Sequence, residues 1–138
     1  MKRLLPLLFV LILPAAVAAQ APTALDGDWH GRSDGGSCNA PLEYAITIES
    51  GIVDGTATDA TAHGPVPNLK KTAPPPPTPG LWQIHGLAKP GSFSLMATAS
   101  VKGAADRREG RLNVSSQGGV LTVIEAGGCG RTARLAKG

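Results

Sequence analysis

The chain has 138 residues, of which 42% are apolar, 4% aromatic and 17% charged, with 18 Gly and 12 Pro and a formal charge of +3. That length suits one small domain, and the apolar share excludes wholesale disorder. The glycines have no three-residue period, which excludes a collagen helix.

The N-terminus reads Met1-Lys2-Arg3, an apolar run from Leu4 to Val17, then Ala18-Ala19-Gln20. A cationic start, a leucine-rich stretch and small residues before the cut are the marks of a secretory signal peptide. The run is too short for a spanning helix, which needs about 20 apolar residues, and it carries Pro6 and Pro14. Residues 1–19 are therefore expected to be a signal cleaved between Ala19 and Gln20, leaving no membrane span. Removing Lys2 and Arg3 with it brings the formal charge from +3 down to +1. The remainder has no clustered Lys/Arg with stacking aromatics, so no nucleic-acid partner is expected.

From residue 20 onward the pattern has a period of two. Asp26–Arg32 is a first strand, followed by Cys38 and by Leu42–Glu49, where the large apolar residues share one face and both acids the other. Ser50-Gly51 turns the chain into a third strand, Ile52 to about Thr61. The segment 63–80 contains four consecutive prolines, Pro74–Pro77, and reads as a stiff surface connector near polyproline II.

Trp82–Ala88 and Ser92–Lys102 are joined by Lys89-Pro90-Gly91, and Met96 is the only apolar residue on the polar side of the latter. Gly103–Gly110, with Asp106-Arg107-Arg108-Glu109, reads as a solvated turn with compensating charges. Arg111–Ser116, Val120–Glu125 and Cys129–Ala136 follow, separated by Gly118-Gly119 and Gly127-Gly128. Glycine pairs supply the positive φ that tight hairpins need. Eight short strands in sequence predict an all-β, antiparallel up-and-down meander, closed or nearly closed into a barrel.

Cys38 and Cys129 are the only cysteines, and both follow the export signal into an oxidising space. An even count there predicts one disulfide. It would close a loop of about 90 residues, for which chain entropy gives about 4–5 kcal/mol. Placing Trp29, Trp82, Leu112, Val114, Leu121 and Val123 inward gives a few large side chains among many Gly, Ala and Thr. Such an interior either packs or leaves room for one small ligand near Tyr44 and Trp82.

Reactive motifs are missing. The chain has no G-x-S-x-G, no H-E-x-x-H and no phosphate-binding glycine loop. His30 and His85 fall out of phase with the inward residues and His63 lies in the connector, so surface histidines are expected and no metal site. Asp26 and Asp28 flank Gly27 on the side opposite Trp29, where a wet face is expected instead of an acid–base pair. No cofactor and no enzyme activity are expected.

Asp26-Gly27-Asp28-Trp29-His30-Gly31, then Cys38, then Tyr44-x-Ile46-x-Ile48-x-x-Gly51-x-Val53-x-Gly55 resembles the opening of small exported proteobacterial proteins with a D-G-x-W-x-G motif. Cys129-Gly130-Arg131-Thr132-Ala133-Arg134 is similar to their end. Gly27-x-Trp29 also resembles the first-strand G-x-W of the calycin barrels, the avidins and lipocalins. Gly51-Ile52-Val53-Asp54-Gly55-Thr56 is similar to an avidin hairpin. The calycin resemblance implies that a late arginine, Arg131 or Arg134, covers the tryptophan. Biotin is not implied, because only Trp82 follows Trp29.

The expectation is a periplasmic or secreted non-catalytic binding module for a small ligand or an extracytoplasmic protein. The rival is a structural, envelope-associated protein with a packed core and no discrete ligand.

Overall fold

A computed structural model describes residues 23–60, 80–100 and 107–138. The expected signal segment 1–19, with its cut at Ala19 and Gln20, lies outside the described residues, as does the connector 63–80 apart from Gly80. Eight strands run in chain order: β1 Gly27–Ser33, β2 Leu42–Glu49, β3 Ile52–Asp59, β4 Leu81–Leu87, β5 Ser92–Ser100, β6 Arg107–Gln117, β7 Val120–Ala126 and β8 Thr132–Lys137. Each pairs antiparallel with the next, and β8 returns to β1, so the meander closes into a barrel with no free edge.

Alternation decides which side faces in. β2 is buried at every second residue, with Leu42, Tyr44, Ile46 and Ile48 inside. The same phase sends Trp29, Ile84, Leu95, Leu112, Leu121 and Leu135 into one core. The two-residue turn Ser50-Gly51 has positive φ at both positions, as does Gly118-Gly119. That twist matches the strands it joins, and it fixes the register that keeps the apolar set inward.

Two expected boundaries are corrected. Arg107–Gly110 is not a turn but the first part of β6, paired with Ala97–Ser100 of β5. The charges of Arg107-Arg108-Glu109 disguise it, because a strand running past the end of the barrel can carry polar residues on both sides. Cys129 does not open the last strand, which starts at Thr132; Gly127–Gly130 forms the β7–β8 turn.

The barrel has two unlike ends. One carries the β2–β3, β4–β5 and β6–β7 turns and the Trp29 side chain. The other carries the β1–β2 loop, with a short 3-10 turn at Gly36–Cys38, and the β7–β8 turn. There Cys38 and Cys129 form the disulfide, with Cα atoms 5.3 Å apart.

Candidate functional site

The site is the mouth at the disulfide end. Tyr44 of β2, Ala57 of β3, Trp82 of β4, Ala99 of β5 and Arg108 of β6 are directly opposite one another in register and form one inward row. Tyr44, Ala57 and Ala99 are buried, Trp82 is half-buried and Arg108 is exposed at the rim. Tyr44 and Trp82, expected together from the sequence, do line one cleft, with Ala97, Gly110, Leu112 and Glu125 among the other walls. Its free volume is about 10 Å³, room for one water at most. Below it lie the buried core side chains Ile84, Leu95 and Leu112.

Small residues make the cleft. A Cβ built on Gly110 would meet only Trp82, at 3.9 Å from its Cζ3. The space beside the indole therefore exists because position 110 lacks a side chain. Neither Gly110 nor Arg108 is a site residue in the sequence reading, since both fell in the supposed turn. The signal that finds them is β6 itself: counting back in twos from Leu112 puts positions 110 and 108 on the inner face.

The polar floor is an ion pair. Arg131, 4% exposed, donates from Nη1 to Glu125 Oε2 at 3.2 Å and from Nε to the Ala40 carbonyl at 2.7 Å. Its backbone N–H reaches the same Glu125 carboxylate at 3.3 Å. The guanidinium thus ties the β1–β2 loop to β7, beside the disulfide. Further bonds cross the same gap: Ser37 N–H to the Cys129 carbonyl at 2.8 Å and Thr132 N–H to Asp34 Oδ1 at 3.0 Å. Buried Ser33 donates to the Asp34 carbonyl and accepts from the Leu42 N–H, closing the inner side of the loop. Burial, with Glu125 nearby, pushes the Tyr44 phenol up to about 12, against the opposing charge of Arg131.

At the opposite end neither expected arginine covers Trp29. Arg131 lies in the mouth and Arg134 points outward, whereas Lys137, opposite Trp29 in register, places its Nζ 5.7 Å from the ring centroid. Strand phase is the reason: only every second residue of β8 reaches the interior, and at this end that residue is Lys137. The Trp29 Nε1–H donates to the Leu25 carbonyl at 2.8 Å, so the indole is also closed from below.

Asp26 and Asp28 do not act as a pair. Asp26 is half-buried and accepts from the Thr23 hydroxyl and from the Ser50 and Gly51 N–H groups, clamping the β2–β3 turn. Asp28 instead accepts from the Thr47 hydroxyl. Hydrogen bonding from Thr23 first, then from those turn amides, holds the Asp26 carboxyl below its usual range against partial burial.

The fold and site define a small, disulfide-stapled, eight-stranded meander barrel with one closed end and one cleft end, compatible with a calycin-like architecture. Compared with protein families, curated proteins and solved structures, the chain matches none. The disulfide points to an oxidising, extracytoplasmic compartment. Among the described residues no helix is long and apolar enough to cross a membrane.

Proposed function

We propose that the protein is an exported, non-catalytic binding module whose mouth takes the apolar part of a small amphipathic anion. The observation that carries this is Trp82: the other aromatic side chains of the barrel are buried, and this one stands half-open beside a gap left by Gly110. Arg108, in the same inward row at the rim, supplies the charge for an anionic end. With about 10 Å³ free, the ligand lies against the indole at the mouth and is not enclosed in the barrel.

The polar groups of the mouth support binding over catalysis. Glu125 and Arg131 neutralise each other, and the Tyr44 phenol is held in its protonated form, so neither a free base nor a ready nucleophile faces the cleft. The outward face carries Asp28, His30, Arg32 and Glu43 in place of the lipid-facing apolar band of outer-membrane barrels, which supports a water-borne protein. The filled interior favours a second reading, a structural envelope protein without a ligand.

Titration with 8-anilinonaphthalene-1-sulfonate, an amphipathic anion, separates the two. Saturable one-to-one binding is expected, at least tenfold weaker in Gly110→Val, which fills the gap, and severalfold weaker in Arg108→Gln. Absence of saturable binding, or equal binding by Gly110→Val, selects the structural reading.

A further inference from the structure

The outward face of the barrel carries a second arrangement. Met96 lies between Ser94 and Thr98 on the polar side of β5 and is 37% exposed. Register sets it directly opposite His85 on β4, and His85 directly opposite Asp54 on β3. All three are exposed, and His85 and Asp54 border an open outer groove. Residues opposite one another on antiparallel strands have Cβ atoms about 4.5–5.5 Å apart. Side chains at that spacing are close enough for an imidazole nitrogen and a thioether sulfur to reach one ion.

We propose that His85 and Met96 form a surface site for one copper(I) ion, with Asp54 a positioning residue for the His85 ring. The donor chemistry selects the ion. Among the described residues no three His, Cys, Asp or Glu come together, so a hard or borderline dication finds no cage. A thioether with an imidazole is a soft pair suited to copper(I). Arg111 stands opposite Met96 on β6, while the row runs on from Asp54 through Thr47 to Asp28, so donor softness and not local charge selects the ion. Both cysteines are joined in the disulfide, which removes the thiolates that would otherwise outcompete a thioether. Beyond the expected signal segment Met96 is the only methionine. Water from the groove completes the coordination.

The test uses the exported chain with its disulfide intact, copper(I) maintained by ascorbate, and bicinchoninate as the competing chelator. One copper(I) per chain is expected. Met96→Leu and His85→Gln each weaken binding at least tenfold, and Asp54→Asn weakens it about tenfold without changing stoichiometry. His30→Gln and His63→Gln leave it unchanged, and Arg111→Gln tightens it. Asp54, His85, Met96, His30 and Arg111 are exposed, so their variants keep the wild-type circular dichroism spectrum. Silver(I), a redox-inert stand-in, shifts the Met96 methyl resonance in the wild type. Failure to compete for copper(I), wild-type affinity in Met96→Leu, loss of binding in His30→Gln or His63→Gln, or zinc(II) held as tightly as copper(I) overturns the site.

Discussion

The two tryptophans sit at opposite ends of the same barrel and meet opposite fates. Trp29 is 2% exposed, hydrogen-bonded to the Leu25 carbonyl and covered by Lys137. Trp82 faces an interior just as apolar, yet it stays half-open. The difference does not lie in the strands, which place both indoles on the inner face. It lies in what the chain lays over each end. Residues before β1 and the last residue of β8 close over Trp29, while at the other end the β6 residue beside Trp82 is Gly110, which has no side chain. Among the described residues, one end is plugged and the other is left open.

Replacing each indole by alanine breaks this comparison most directly. Trp29→Ala should cost about 3–5 kcal/mol, because it empties a filled end and leaves the Leu25 carbonyl without its donor. Trp82→Ala should cost about 1–2 kcal/mol, in proportion to the smaller area it buries. Urea unfolding curves give both values, and equal losses would refute the contrast between a plug and an opening.

The disulfide comes next. Cys38→Ala with Cys129→Ala should lower stability by about 2–4 kcal/mol, chiefly by freeing the unfolded chain. The mouth itself should persist, because Ser37, Arg131 and Thr132 bridge the same two loops by hydrogen bonds. An unchanged Trp82 emission maximum in the folded double variant would show this; a red shift would show that the staple shapes the mouth.

Tyr44 is the only tyrosine, so phenolate absorbance reports the mouth alone. Its midpoint should lie near 12 in the folded protein against about 10 in the unfolded chain. Because the folded value is the higher one, this contribution to stability is complete below pH 10 and is lost as pH rises through 12. Glu125→Gln should lower the midpoint and Arg131→Met should raise it, since their charges act in opposite directions. A midpoint near 10 in the native protein would mean that the mouth is wetter than its packing indicates.

The smallest effect belongs to the plugged end. The Asp26 carboxyl is held low by Thr23 and the turn amides, so its support is present above the ordinary carboxylate range and is lost as pH falls through the folded value. Asp26→Asn should lower the melting temperature slightly at pH 7 and flatten its acid dependence below about pH 4. An unchanged acid limb would remove Asp26 from the turn.

Much of this was legible in residue order. In Leu42–Glu49 every large apolar side chain falls on one face, so the strand and its inward side follow from the alternation. The cysteine pair followed from an even count in a chain expected to be exported. Segment 107–110 was not legible, because its charges obey no period and β pairing at a barrel rim tolerates them. The covering of Trp29 was misassigned to an arginine for a related reason: residue type suggested the partner, but strand phase chose Lys137.

Local pattern and turn chemistry therefore determined the eight strands, their faces, their antiparallel order and the cysteine pairing, since each depends on neighbours within a few positions or on a compartment. Closure of β8 onto β1, the narrowing of the cleft beside Trp82 to about 10 Å³, and the rows that join Tyr44 to Arg108 and Asp54 to Met96 were decided only by tertiary structure. These depend on the shear with which the strands close and on volumes summed over eight of them, and no window of the sequence contains either quantity.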